Sequence, residues 1–517
     1  MRKTTQLFFL LFFTYLFFRA AYPLSSWIPV DLFLRADPLL ALATTFASRE
    51  VALKTLPAVI LVVLTVLFGR FFCGYICPLG TLLDLSNSLI HTRKPRFVEG
   101  LRKFKFYLLI AVLVASIAGV NLIYFFDPLI ILTRTYTIVF YPLAIFATNL
   151  SLDGIRPLAD YMGWIELTYL YYFQPFFYMG IITGIIFAGI VALNLISPRF
   201  WCRYICPLGA LLGFCSRFGI FKRVVNDRCT SCMKCKEMCP MGAINDEPQK
   251  VQGNECLQCR TCRLICPKEA ISFKPVYSPF HEDVNTKLGV TRRGFLYSLS
   301  GGLASGFFFF NHPLRRTRKD TLIRPPGAIP EEQFLNSCIR CSECMKVCIT
   351  STLQPSLLEG GPEGLWTPRA CLKYAACEQT CNLCGKVCPT QAIRDLDLEE
   401  KKHARIGTAV ILKEKCLVWE QDKVCLICDE QCPYNAIVFK TVDGFRRPFI
   451  IENKCNGCGL CEHKCPIEGE AAIVVKPLGE MRLKEGSYIE EARRLELTLK
   501  EEEGYDRFLF ENEQADE

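Results

Sequence analysis

Apolar and polar positions divide this chain sharply. Four apolar stretches open it, at roughly residues 7–21, 51–69, 104–126 and 175–196. About 20 helical residues cross a bilayer, so three of these have the length of a span and the first is short. Arg2 and Lys3 ahead of the first also suit a secretory signal, although no small-x-small cleavage pattern follows. Basic residues orient the spans. Arg70, Arg93, Lys94, Arg96, Arg102, Lys103 and Lys105 lie between the second and third, and Arg199, Arg203, Arg217, Lys222 and Arg223 follow the fourth. The other loops are poorer in Lys and Arg, which puts the N-terminus and the basic loops in the cytoplasm. The aromatic run at 169–178 marks the opposite interface, and Gly180 and Gly184 read as a close helix-packing pair.

The apolar part repeats itself. RFFCGYICPLG at 70–80 and RFWCRYICPLG at 199–209 agree at nine of eleven positions, and Asp37-Pro38-Leu39 is echoed by Asp127-Pro128-Leu129. The pattern predicts a duplicated helical hairpin of four spans, with an enlarged outer loop in the second copy. Cysteines four apart on a helix share a face, and the following proline lets the last turn open. Pseudo-symmetric packing would bring Cys73, Cys77, Cys202 and Cys206 together at the cytoplasmic edge. Three readings compete for them: a seventh metal centre, a redox-active dithiol pair, or buried structural thiols.

Beyond residue 222 the chain turns polar and rich in cysteine. It divides into a membrane domain (1–222), a cysteine-dense segment (223–275), a linker with a fifth apolar segment (276–324), a second cysteine-rich region (325–476) and a charged, acidic-leaning tail (477–517), read as a solvated helix or docking tail. Of 517 residues 30 are cysteine and five histidine, and none of the histidines lies in an apolar run, which argues against a membrane haem held by paired histidines. The net charge of +9 fits loops near anionic lipid, since no basic nucleic-acid module appears.

Cysteine spacing carries the chemistry. Cys229, Cys232, Cys235 and Cys239-Pro repeat as Cys256, Cys259, Cys262 and Cys266-Pro, the bacterial ferredoxin run written twice. In such pairs the fourth cysteine crosses to the other cluster. The expected [4Fe–4S] sets are therefore Cys229/Cys232/Cys235/Cys266 and Cys256/Cys259/Cys262/Cys239. A zinc ribbon does not use this 2-2-3 spacing ending in proline. Four further groups give, by the same rule, Cys338/Cys341/Cys344/Cys388, Cys377/Cys381/Cys384/Cys348, Cys416/Cys425/Cys428/Cys465 and Cys455/Cys458/Cys461/Cys432. Irregular spacing lets Cys371 compete with Cys377. Cys215 is left over.

The linker holds Thr291-Arg292-Arg293-Gly294-Phe295-Leu296 before an apolar stretch, as in a twin-arginine export signal. The alternative is a basic patch before an ordinary fifth span. Either places the C-terminal region outside, although Arg315, Arg316, Arg318 and Lys319 after the stretch run against the positive-inside expectation.

These residues together resemble a known pair of proteins. The part up to about 275 resembles the NapH-type quinol dehydrogenase membrane subunit, with its spans, two CxxxCP motifs and two-cluster ferredoxin. From Thr291, the twin arginines, residues 324–329 (RPPGAI) and Cys416-x8-Cys425 resemble the NapG-type periplasmic polyferredoxin. The resemblance implies a multi-pass protein of the bacterial inner membrane, α-helical in the membrane with α+β ferredoxin-like domains. It also implies electron transfer from the quinone pool to a periplasmic cytochrome c or reductase of anaerobic respiration, as a quinol dehydrogenase-type component. Quinol sheds protons with its electrons, and Asp37, Asp127, Glu166 and Asp84 are the candidate acceptors, although Asp before Pro is also a common turn residue. A redox-supply or maturation factor for a metalloenzyme is the rival reading, since CxxxCP membrane ferredoxins include such proteins.

Overall fold

The computed structural model describes residues 2–24, 27–90, 99–244, 246–276, 284–285, 290–311 and 322–499. Arg93, Lys94, Arg96, Arg315, Arg316, Arg318, Lys319 and the tail beyond Leu499 lie outside the described residues.

Helices occupy all four leading apolar stretches: α1 (Arg2–Arg19), α3 (Pro57–Phe68), α5 (Phe104–Ile117) and α7 (Gly180–Ala192). The last three are shorter than their stretches, because local features stop them. Gly69, at φ +70°, ends α3, and a 3-10 turn at Ile123–Phe125 follows α5. Among the described residues, one continuous helix is long and apolar enough to cross a membrane by itself, α6 (Pro128–Met162). The sequence pattern had placed this segment in the enlarged outer loop. It is helical throughout, with a π turn at Tyr136–Phe140.

Besides α3, four α-helices among the described residues begin at a proline: α2 (Pro38–Ser48), α4 (Pro78–Ile90), α6, and α8 (Pro207–Cys215), and these four share a feature. Proline suits the first helical position, where its missing N–H costs nothing. The residue ahead of each is buried: Asp37 and Asp127 at 0 %, Cys77 at 6 % and Cys206 at 4 %. Asp37 Oδ1 accepts from the Leu39 and Leu40 amides at 2.8 and 3.2 Å, and Asp127 Oδ1 from Leu129 and Ile130 at 2.9 and 3.0 Å. The two halves interlock. Helix α2 packs on α5 and α4 on α6, while α1 against α4 is matched by α5 against α8.

The cysteine motifs do not form the last turns of the apolar helices that precede them. Each is a separate π turn, Phe72–Ile76 and Trp201–Ile205, closed by Cys77 N to Phe72 O and Cys206 N to Trp201 O, both 2.9 Å. The wider turn and the following proline redirect the chain into α4 and α8, whose Leu79, Leu83, Leu208 and Leu212 are at most 1 % exposed.

The first ferredoxin unit is tied by β1 (Phe221–Val225) paired antiparallel with β2 (Ile271–Pro275), and its loop at 254–258 lies against α8 and the Cys73 turn. Helix α9 (Arg292–Asn311) then packs along α5. Gly294 meets Tyr107, Gly302 meets Ala111 and Val114, and Gly306 meets Ala118, so both helices run the same way. A Cβ on Gly302 would stand 2.7 Å from the Ala111 carbonyl oxygen, so this approach requires glycine. Helix α9 carries the chain to the opposite end of the bundle. There the second region docks through Arg340 Nη1 to Asn121 O (3.2 Å), Gln354 Nε2 to Phe176 O (2.9 Å), Trp366 Nε1 to Thr183 Oγ1 (3.3 Å) and Lys346 Nζ to Ala20 O (3.2 Å).

The second region is built on β3 (Thr408–Ile411) paired with β6 (Ile473–Lys476), and on the hairpin β4 (Ile437–Val442) and β5 (Phe445–Ile450). The tail is not wholly solvated: Tyr488 is 0 % exposed, and the helix Tyr488–Arg494 packs on Leu398–His403. Apolar residues within the charged run, Met481, Tyr488 and Ala492, explain this.

Candidate iron–sulfur and thiol sites

In the first ferredoxin unit, Cys229, Cys232, Cys235 and Cys266 line one hollow, and Cys239, Cys256, Cys259 and Cys262 the next. Left-handed residues flank the second cysteine of each run, Ser231 and Met233 around Cys232, Gln258 and Arg260 around Cys259. They curl the loop so that three thiols face inward. The same device recurs around Cys341 (Arg340, Ser342) and Cys458 (Gly457, Gly459). Among the described residues it is missing around Cys381 and Cys425, the two groups whose first spacing is altered.

The second region assembles four more sets. Cys348, Cys377, Cys381 and Cys384 surround one hollow, and Cys416, Cys425, Cys428 and Cys465 another. Cys338, Cys341 and Cys344 gather with Cys388, and Cys455, Cys458 and Cys461 with Cys432. Cys371 lies apart from these sets, beside Arg369, Glu359 and Glu462. Burial, then repulsion from Cys341, Cys338 and Cys388, pushes the Cys344 thiol well up, and burial pushes Cys428 to about 12. Such thiols ionise only when a cation joins them, as metal ligation requires. Amides already point at several sulfurs: Ala243 N to Cys239, Ala436 N to Cys432 (both 3.3 Å), Ala409 N to Cys455 and Ala472 N to Cys465 (both 3.4 Å). Amide donors of this kind tune cluster potentials.

The sets stand in sequence. Cys344 neighbours Cys384 of the next set, the Cys377 amide donates to the Cys458 carbonyl at 2.9 Å, and Cys461 neighbours Cys428. The crossing fourth cysteines tie the sets in two pairs, and the Cys377–Cys458 backbone contact joins the pairs.

At the middle of the helical bundle, Cys77 neighbours Cys202 and Cys73, and Cys206 neighbours the same two. All four are at most 9 % exposed. Each repeat's arginine reaches into the other half. Arg199 Nη1 donates to the Cys73 carbonyl (2.8 Å) and Nη2 to that of Gly80 (3.3 Å), while Arg70 Nη2 would be 2.9 Å from a Cβ on Gly209. Arg199 also donates to both Asp84 oxygens at 2.6 and 2.8 Å. Arg70 Nη1 donates to Asn254 O (2.8 Å) and Glu255 Oε2 (3.2 Å), and Lys105 is bonded to the same carboxylate. Among the described residues no three His, Cys, Asp or Glu side chains crowd tightly enough for a single metal ion, either here or in the six ferredoxin sets.

The candidate proton acceptors fall in different settings. Asp37 and Asp127 face each other carboxyl to carboxyl at the bundle centre, both fully buried. Asp84 is held by Arg199, Arg2 and Gln6. Glu166 is exposed, in the short helix Ile165–Tyr169. Sequence reasoning did not single out Glu255 or Lys105. Glu255 sits beside Cys256 in the ferredoxin run, and only the tertiary fold reveals its two buried cations.

Crossed four-cysteine sets on ferredoxin loops define a polyferredoxin, an iron–sulfur electron-transport protein. A family described as "4Fe-4S binding domain" matches residues 56–96 and 179–226, another of that description matches 222–245, and a "4Fe-4S dicluster domain" matches 423–468. The methylamine utilization ferredoxin-type protein MauM of Methylorubrum extorquens is 38% identical over 164 residues, 30% of this chain and 72% of its own length. Ferredoxin-type protein NapG of Escherichia coli is 35% identical over 167 residues (30% and 71%), and NapF of the same organism 30% over 152 (29% and 84%). No solved structure matches the chain. The chain belongs to the ferredoxin-type proteins of the NapG and MauM kind.

Proposed function

We propose that the chain is a membrane-bound electron conduit that takes electrons from quinol and delivers them to a periplasmic cytochrome c or reductase. The six crossed cysteine sets would each hold a [4Fe–4S] cluster, in the first unit and in the second region. When bound, such clusters supply one-electron carriers. The chain's own residues ionise as ligands under iron's charge, exclude water from the buried sets and fix the order of the carriers. The observation that carries this reading is that order: the four sets of the second region touch in series, and that region sits across the helical bundle from the first unit.

In this reading α1, α3, α5 and α7 are the four spans, completed by the buried helices α2, α4 and α8 and by the buried first turns of α6, whose later part runs on past the second region's Lys346 at Tyr141. Helix α9 is a fifth crossing, which supports the ordinary-span reading of the twin-arginine segment and an uncleaved chain. The first unit and Arg2 then face the cytoplasm and the second region the periplasm. Each quinol oxidised to quinone releases two electrons and two protons. Of the candidate acceptors, exposed Glu166 lies where a membrane substrate reaches it, near the aromatic run.

The test is to mix anaerobically purified full-length protein with a reduced menaquinone analogue and follow the visible absorbance of the clusters. Rapid bleaching is expected. Failure to bleach, with dithionite still reducing every cluster, would favour the redox-supply or maturation role.

A further inference from the structure

We propose that the loop around Cys425 is a docking face at the far end of the relay. It fits a one-electron acceptor protein whose cofactor edge is apolar and ringed by lysines. The inference rests on the conduit reading and names the surface through which electrons leave it.

Position singles this face out first. The series of the second region starts at the Cys338 set, where Arg340 docks on Asn121 of the bundle, and ends at Cys416, Cys425, Cys428 and Cys465. The two ends differ in exposure. Arg340 and Ser342, on either side of Cys341, are each 2 % exposed, whereas Val424 and Leu426, on either side of Cys425, are 92 % and 41 % exposed. Pro466, which lines the same hollow beside Cys465, is exposed as well.

The widened spacing Cys416-x8-Cys425 builds this surface. The inserted residues form the short helix Leu417–Glu420 and a left-handed turn at Asp422. The insert is anchored at its root. Val418 is buried, Trp419 Nε1 donates to the Pro448 carbonyl at 3.3 Å, and the Trp419 ring meets Phe449 edge-on with centroids 5.4 Å apart. A lone exposed valine is ordinary on a protein surface. Val424 is different because an anchored loop holds it out directly beside the terminal cluster's ligand.

Charge gives the partner's chemistry. Around the apolar centre Glu420, Glu430 and Glu468 are exposed and unpaired, against Lys423 as the unpaired base among the described residues of this face. The other nearby bases are engaged: Lys415 with Glu470, Arg447 with Asp422, Lys413 over the Trp419 ring and Arg446 over Phe439. Four thiolates around a bound cluster would add to the negative charge. An apolar centre with an acidic rim complements a lysine-ringed cofactor edge. Electron-transfer interfaces are small, and rim charges act mainly on the rate of association. The transfer itself moves one electron and no proton: the partner's cofactor gains what the reduced terminal cluster gives up.

The experiment uses full-length protein in detergent, reduced with dithionite and mixed with excess oxidised, lysine-rich c-type cytochrome at low and high salt. Ferricyanide, a small anion, is the second oxidant. A Glu420→Lys/Glu430→Lys/Glu468→Lys variant is compared with wild type and with a variant reversing Glu332, Glu485 and Glu490, exposed acids outside this face. Cluster absorbance before mixing shows that each variant is folded and loaded. The face variant is expected to reduce the cytochrome about tenfold more slowly at low salt and to lose the wild type's salt dependence. Its oxidation by ferricyanide should not slow, and the control variant should behave as wild type. Val424→Asn should slow the cytochrome reaction at both salt concentrations. Equal cytochrome rates and salt slopes in wild type and face variant would overturn the proposal, as would equal slowing in the control variant. Faster oxidation by an acidic flavodoxin than by the cytochrome would overturn it too. Dithionite loads the clusters directly, so failure of quinol to bleach them sinks the conduit reading separately from this face.

Discussion

Arg70 and Arg199 hold the same place in the two halves of the helical bundle, three residues before the first motif cysteine, yet they are neutralised from different sources. Arg199 is paired within the bundle by Asp84. Arg70 is paired by Glu255 of the first ferredoxin unit. The position seven residues past the second cysteine explains the difference, for it is Asp84 in one copy and Gly213 in the other. A Cβ on Gly213 would stand 2.7 Å from the Asn254 carbonyl oxygen, so glycine leaves the space that the ferredoxin loop fills. The duplicated scaffold is thus symmetric in its thiols and asymmetric in what docks on it. One half carries its own counter-ion, and the other receives it from the electron-transport unit.

The largest effect is expected of Glu255→Ala, which strands both Arg70 and Lys105 in the interior. Loss of one partner from a buried ion pair costs about 3–5 kcal/mol. Thermal unfolding should fall accordingly, and amide exchange at 254–258 should rise as the unit lifts from α8. Gly213→Ala crowds the same loop without touching a charge, and overpacking of this kind costs about 1–3 kcal/mol. Its amide exchange should rise at 254–258 and stay unchanged around α4. Asp84→Asn should cost less, about 1–2 kcal/mol, because its carboxylate is partly in water and Arg199 keeps the carbonyls of Cys73 and Gly80. Docking of the ferredoxin loop should be unaffected, and a rise in exchange at 254–258 would show that the halves are not independent.

The second region offers a control distant from both halves. Burial opposes the charge of Glu331, but Arg324 and Arg482 outweigh it and hold its carboxyl down to about 2, against an ordinary 4.5. A depressed carboxyl contributes stability that is complete above pH 4.5 and lost as pH falls toward 2. After allowance for its partial exposure this amounts to about 2 kcal/mol. Glu331→Gln should flatten the acid limb of the second region's unfolding between these pH values and leave 254–258 exchange unchanged.

The ferredoxin sets were legible in the sequence because cluster geometry dictates short cysteine spacings, and the crossing of the fourth cysteine is local enough to be inferred from order. The choice between Cys371 and Cys377 was not, since both fit the spacing and only the turn after Cys371, which carries that thiol toward Glu462, separates them. The repeat announced two halves, but not the manner of their packing. Asp37 and Asp127 look like turn residues beside prolines, and their meeting at the bundle centre depends on interlocking helices far apart in the chain. The π turns escaped for a similar reason, because period alone does not distinguish a widened turn from an α-helical end. Glu255 was hidden in a loop whose cysteines drew all the attention, and its role is set by tertiary contacts alone.

The relay proposed above joins the two ends of the bundle. It is tested most directly by reconstituting the full-length protein in sealed vesicles loaded with ferricyanide and adding dithionite outside. Bleaching of the enclosed ferricyanide, fast with protein and slow in empty vesicles, is the predicted result. Equal rates with and without protein, in vesicles whose outward-facing clusters are visibly reduced, would contradict it.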